Sequence, residues 1–300
     1  MPEIIVSHGW NNNLHLNNGS IELVISLDVG PRVIRLAHVG GPNVFKEYPD
    51  QLGKSGEAEW KIRGGHRFWI SPESPENGYT YAPDNKPVPY KKIGPNHYKI
   101  SSGANLESGW NKELEVRLDA DNDRVTLTHR IVATRDLDFA IAPWALSVMA
   151  PGGLAVIPQP EKGTHPADLL PNRRLVLWPY TDVLDARYNW SWPNILVQQR
   201  SDAGPTKFGL LHRTGWVGYQ LGDTLFAKTI PFSENSIEAG YPDMGVNFEL
   251  FSNEEMLELE SVAPLSFLKR NQTSEHTETW ILKKSGDIDW KSTSLLDLVQ

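Results

Sequence analysis

The sequence predicts a single-domain, nearly all-β protein built from two packed antiparallel sheets, with one short helix at the C-terminal end. Three observations lead there: apolar and polar residues alternate in short runs, turn signals follow one another closely, and no repeat of fixed period divides the chain. Alternation of period two puts every second side chain on the same face, the pattern of a strand with one face on a core. It runs through 21–27, 32–38, 114–118, 124–131, 207–211, 247–251, 256–262 and 277–282. Between the runs stand Asn18-Gly19, Asp121-Asn122, Pro151-Gly152-Gly153, Gly222-Asp223 and Ser252-Asn253, which leave little room for crossover helices and favour antiparallel pairing. Without a period of about 20 to 50 residues, solenoids and propellers lose ground. The 300 residues fit one large sandwich spanning 1–300. Only 287–299 looks helical, with Ile288, Leu295, Leu296 and Val299 as its apolar stripe.

Two segments break the alternation. Residues 48–92 and 158–171 are rich in Pro and Gly or charge and read as long loops. The first carries Trp60, Phe68, Trp69, Tyr79 and Tyr81, an aromatic content that predicts an ordered loop lining a site.

Composition excludes several classes of function. Hydrophobic residues make up 39% and charged residues 22%, the balance of a globular chain. The net charge is -8 and no stretch gathers five Lys and Arg, so the electrostatic footprint of nucleic-acid binding is missing. No apolar run approaches a membrane span and the first ten residues lack a signal-peptide core, which predicts a cytoplasmic protein without a membrane partner. There is no Cys, and the nine His show no short ligand spacing with carboxylates, so no metal site is expected. Walker loops, dinucleotide fingerprints and nucleophile elbows are missing too, so no cofactor is expected.

The stretch 246–262 carries the most chemistry. A hairpin loop at 252–255 would set Phe251 opposite Met256, Glu249 opposite Glu258 and Asn247 opposite Glu260, all on one face. Phe248, Leu250, Leu257 and Leu259 then make the core face, and three carboxylates crowd the other side. Like charges facing each other across a ladder destabilise it by up to about 1 kcal/mol, so something must offset them. Two readings stay open. The face is either the floor of a cleft in which one carboxyl is tuned for acid–base work, or a solvated outer face with Lys or Arg from a neighbouring strand between the acids.

The motif Arg63-Gly64-Gly65-His66-Arg67-Phe68-Trp69 places two guanidinium groups, an imidazole and an indole within seven residues. Sugars need such a mixture, because forked donors hold hydroxyl or carboxylate oxygens and an aromatic face covers the C–H side of a pyranose. The same cluster would also serve to tie the loop to the sheet. Arg173, Arg174, Asp182, Asp185 and Arg187 surround Trp178 to Tyr180 and precede Trp190 and Trp192, a candidate second wall. Pairing of Asp185 with Arg187 and burial of Trp178 is the structural alternative.

The chain resembles the aldose 1-epimerase, or galactose mutarotase-like, superfamily over nearly its whole length. The resemblance rests on Asn18-Gly19-Ser20-Ile21-Glu22-Leu23 through Gly30-Pro31-Arg32-Val33-Ile34, on Gly64-Gly65-His66-Arg67-Phe68-Trp69, and on Tyr241-Pro242-Asp243-Met244-Gly245 through Leu257-Glu258-Leu259-Glu260. It implies a supersandwich of two large antiparallel sheets with a sugar-binding cleft on one, and a monosaccharide, neutral or acidic, as partner. It further implies Glu260 as the base on the anomeric hydroxyl, Glu258 as second choice, and His66 as the acid at the ring oxygen. Arg63, Arg67, Trp69, Arg173, Arg187, Asp243, Asn247 and Glu249 are the expected sugar contacts. Where the family carries a second His in a middle strand, this sequence has Ala142-Pro143-Trp144. Either His129 or His66 substitutes, or the chain binds a sugar without turning it over, or it performs a different reaction such as a lyase step on uronic-acid oligosaccharides.

Overall fold

The computed structural model describes residues 3–74, 84–102, 108–232, 234 and 240–299. Tyr79 and Tyr81, expected to line the site, lie outside the described residues.

Among the described residues, two ten-stranded antiparallel sheets make up the fold. Sheet I runs β1 (Glu3–Ser7), β2 (Trp10–Asn17), β3 (Ile21–Ser26), β4 (Arg32–His38), β5 (Gly65–Ser71), β10 (Ala142–Met149), β19 (Leu257–Val262), β18 (Phe248–Ser252), β15 (Thr206–Leu210), β12 (Leu175–Leu177). Sheet II runs β13 (Tyr188–Trp190), β14 (Asn194–Gln198), β11 (Leu154–Pro158), β16 (Trp216–Leu221), β17 (Thr224–Thr229), β20 (Thr273–Lys284), β9 (Arg124–Ala133), β8 (Trp110–Leu118), β7 (His97–Ser101), β6 (Tyr90–Gly94). The main core fills the space between the sheets and takes Leu23, Leu36, Phe248, Leu250, Leu257 and Leu259 from sheet I against Leu114, Leu127, Phe226 and Trp280 from sheet II. Every run of alternating residues falls within or against one of these strands, because alternation reports a strand with one face on that core.

Two expectations change. The segment 48–92 is not loop throughout: Gly65–Ser71 forms β5, a central strand buried along its whole length. Polar residues stand on both of its faces, so its sequence carries no period of two. The C-terminal helix is confined to α1 (Leu296–Val299). The Asn194 side chain donates to the carbonyls of Trp290 and Thr293 and accepts the Leu295 N–H, which engages backbone groups that a longer helix would pair internally. The Ser294 Oγ accepts the Leu296 N–H while Asp297 reaches back to the Ser294 N–H, a capping box that starts the helix there. None of the described helices is long and apolar enough to cross a membrane.

Candidate functional site

The β18–β19 hairpin turns two residues away from the expected register. Glu249 faces Glu260 and Phe251 faces Glu258. Asn253 sets the turn: its side-chain oxygen accepts the N–H groups of Glu255 and Met256, and its own N–H reaches the Met256 carbonyl. A slip of two keeps every side chain on its face, so the carboxylates still share one side and Phe248, Leu250, Leu257 and Leu259 point into the core.

The outer face of β5, β10, β19, β18 and β15 is therefore an acidic floor, and it is dry. Glu249 and Glu260 are 0% exposed and Glu258 5%. Two cations lie among them. The Lys207 ammonium is 2.6 Å from Glu249 Oε2 and 2.9 Å from Glu260 Oε2, and Arg67 Nη2 is 2.7 Å from Glu258 Oε1. Trp144 Nε1 donates to Glu260 Oε2 at 2.8 Å. Aromatic rings enclose the cations: Lys207 lies 4.8 Å from the ring centres of both Trp144 and Trp178, and Arg67 lies 4.0 Å from that of Trp69 and 5.5 Å from that of Trp60. The solvated outer face considered from sequence is thus not what forms, although a neighbouring-strand Lys does stand between the acids.

Three carboxylates against two cations leave one negative charge in surplus within a buried group. Burial pushes the Glu249 carboxyl well above its ordinary range; Lys207 opposes that, while Glu260 and Asp243 add to it. Burial likewise raises Glu258 against the pull of Arg67. Burial would lower the Lys207 ammonium, but Glu260 and Glu249 more than reverse this and hold it above its ordinary value. Tyr180, half-exposed beside the group, is pushed up to about 12 chiefly by burial. Glu249, raised in this way, stands opposite Glu260, which accepts from Lys207 and Trp144. Among the described residues Glu260 Oε1 and Glu249 Oε1 have no hydrogen-bond partner.

Beneath this floor, between the sheets, lies a second polar cluster. His66 Nε2 meets His129 Nε2 at 2.8 Å, and His66 Nδ1 meets the Ser147 hydroxyl at 3.0 Å. His129 Nδ1 donates to the His276 carbonyl, so its Nε2 accepts from His66 and the Ser147 hydroxyl donates to His66 Nδ1. Glu278 takes the Lys228 ammonium at 2.6 Å, the Trp280 indole N–H at 2.8 Å and the Ser261 hydroxyl. Burial pushes the Glu278 carboxyl up, but Lys228, His129 and His276 together outweigh it and keep Glu278 below its ordinary value. His66, His129 and Glu278 bring potential metal-ligand atoms within 4.8 Å of one another, a cluster invisible in sequence spacing. Their donors and acceptors satisfy each other, and Lys228 already neutralises the carboxylate, so the cluster fits a hydrogen-bonded core rather than a cation site.

No family model matches the sequence, and no curated protein does. Solved structures do match in fold. The chain is similar to the Slr1438 protein of Synechocystis (TM-score 0.61, 10% identity, covering 94% of this chain and 100% of that one). It is also similar to a galactose mutarotase-like protein of Lactobacillus casei (0.60, 9%, 91% and 100%) and to a galactose mutarotase related enzyme of Lactobacillus acidophilus (0.55, 9%, 92% and 98%). The chain has the galactose mutarotase-like fold.

Within this mutarotase-like fold the residues singled out from sequence separate. Arg67, Trp69, Glu249, Glu258 and Glu260 come together on the floor, with Asp243 close enough to act on Glu249. His66 does not join them. It alternates with Arg67 along β5 and points into the inter-sheet cluster, where burial and the neighbouring His129 push its imidazole well below its ordinary value. His129 lies there too, pushed down to about 4 mainly by burial. Arg63 ties the loop together through Glu57, Asn85 and the Gln51 carbonyl. Arg187 grips Asp185 at 2.7 Å and donates to the carbonyls of Gly204 and Ser252, the structural alternative weighed for that pair. Asn247 bonds the backbone of His212 and Pro231. Arg173 lines a separate pocket at the sheet edge, and Trp178 is half-buried over Lys207 rather than in the core. Lys207 and Trp144 escaped the sequence reading as site residues, while Tyr180 belongs to the aromatic run expected to build a second wall. Lys207 carried one signal, a Lys at an outward position of an alternating strand beside an acidic one.

Proposed function

We propose that the chain binds a monosaccharide, neutral or acidic, over the carboxylate floor and interconverts its anomers by general acid–base catalysis. The observation that carries this reading is the pair Glu249 and Glu260, directly opposed across the ladder and sharing one ammonium, with burial and the neighbouring Glu260 charge raising the Glu249 carboxyl. Glu260, ionised, takes the proton of the anomeric hydroxyl. Glu249, protonated, gives its proton to the ring oxygen as the bond from that oxygen to the anomeric carbon breaks. The open-chain aldehyde rotates and closes on its other face, and the two protons return. On this floor Glu249 takes the acid role expected of His66, because His66 faces away. Trp69 and Trp144 hold Arg67 and Lys207 in place against the carboxylates, and Arg67 Nε and Nη1, without a hydrogen-bond partner among the described residues, offer donors to the sugar's hydroxyls. Glu258, paired with Arg67, is the second choice of base.

A non-catalytic sugar-binding role is the second reading, favoured by the complete burial of Glu260 in its contact with Lys207. Polarimetry of freshly dissolved aldoses with wild type and Glu260→Gln separates the two. The amide keeps the size and hydrogen-bonding of the side chain but lacks the basicity that proton abstraction needs, so activity should fall by at least about a hundredfold while sugar affinity stays within a few-fold. No wild-type acceleration for any aldose leaves the binding role, and full activity in Glu260→Gln moves the base to Glu258.

A further inference from the structure

The pocket holding Arg173 opens where the edges of the two sheets meet, and its walls share no residue with the carboxylate floor. Leu175 of β12 and Leu210 of β15 come from sheet I, and Trp190 of β13 and Ile195 of β14 from sheet II, around a volume of about 320 Å³. That is the lower end of the range that holds a small ligand. The Pro-rich excursion after β11 supplies one wall with Pro160 and Lys162.

Charge around the pocket runs against the chain as a whole. Among the described residues Lys162, Arg173, Arg174 and Arg213 line it and no Asp or Glu does, in a protein of net charge -8. Arg213 is held by Glu234 at 3.0 Å, but among the described residues Lys162, Arg173 and Arg174 have no carboxylate partner. Arg173 makes one long contact, 3.5 Å to the Pro160 carbonyl, and Arg174 caps the turn at Gly245 through its carbonyl at 2.9 Å. The His212 imidazole, pushed down to about 4 by burial, adds no charge. Trp190 is 38% and Trp192 54% exposed, so indole surface is open beside these cations. Concavity, unpaired cations and open indole in one place are what an anionic ring with an apolar face requires.

We propose that this edge pocket is a second binding site, for an acidic saccharide: a sugar ring bearing a carboxylate or a phosphate. Trp192 and Trp190 cover the C–H face of the ring, and Arg173 with Lys162 holds the anion. The site is independent of anomer interconversion on the floor and stands whether or not that reaction occurs.

Calorimetric titration of the full chain tests it, with galacturonate, glucose 6-phosphate, galactose and inorganic phosphate as probes, on wild type, Arg173→Glu, Trp192→Ala and Glu260→Gln. Both pocket side chains are exposed, so these variants should fold, and melting curves check that. At least one acidic sugar should bind, weaken with added salt, lose at least tenfold in affinity in Arg173→Glu and in Trp192→Ala, and be unchanged in Glu260→Gln. The two acidic probes distinguish a carboxylate from a phosphate ligand. Absence of binding by both, equal binding to Arg173→Glu, or loss in Glu260→Gln instead would overturn the proposal. Inorganic phosphate binding as tightly as the sugar phosphate, indifferent to Trp192→Ala, would reduce the site to an anion hole and overturn the saccharide.

Discussion

Lys207 holds two carboxylates at 2.6 and 2.9 Å in a region closed to water, and no other described cation forms an ion pair with Glu249. Replacing it by Met keeps the length of the side chain but leaves three acids against Arg67 alone. Removing one partner of a buried ion pair costs about 3 to 5 kcal/mol, and chemical denaturation of Lys207→Met should show a loss of that size. Glu260→Gln should behave differently. It leaves two acids against two cations, Lys207 with Glu249 and Arg67 with Glu258, and keeps an oxygen to accept from Trp144. Its stability should stay within about 1 kcal/mol of wild type, measured on the same samples used for polarimetry. The sequence located these acids and their shared face. It also pointed to Arg67 as a cation for them, which pairs with Glu258, but it could not locate Lys207, because that residue is distant from Glu258 and Glu260 along the chain and only strand order makes them neighbours.

At the level of elements, β5 and β10 divide the chemistry. Each is buried on both faces, and residues that follow one another in sequence serve opposite sides: Arg67 and Trp69 on the floor, His66 and Phe68 between the sheets. The entry to β5 depends on Gly64, which has φ +83° and lies so close to the Lys46 carbonyl that a Cβ would stand 1.9 Å from that oxygen. Ala there meets both an unfavourable backbone conformation and a clash with backbone that cannot rotate away. Gly64→Ala should lose at least about 2 kcal/mol in urea denaturation and weaken whatever binds the floor, since Arg67 rides on the strand it starts.

For the molecule as a whole, the cluster joining the two sheets makes stability depend on acidity. In it His129 is pushed down to about 4 and His276 to about 3, each mainly by burial, and His66 is lowered too; outside it, burial pushes His212 down to about 4. Lys228 opposes charging of His66, His129 and His276, while Glu278 favours it for His129 and His276. A His whose folded pKa lies below its unfolded value of 6.5 contributes stability in full above that value and loses it as pH falls toward the folded one. Each unit of depression is worth about 1.4 kcal/mol. Melting temperature should therefore be level above about pH 7 and drop steeply between 6.5 and 4, with part of the slope removed in His129→Gln; a flat profile over that range would show that the cluster is hydrated. Across the whole chain, the sequence by itself determined the fold class, the strands with one face in the core, and the parity that gathers Glu249, Glu258 and Glu260, because these follow from a period of two that local residues encode. Only the tertiary structure decided the course of β5, the two-residue register of the hairpin, the inward turn of His66 and the arrival of Lys207. Those depend on which strands pair and on which faces are buried twice, and pairing between segments far apart in the chain leaves no periodic trace in either of them.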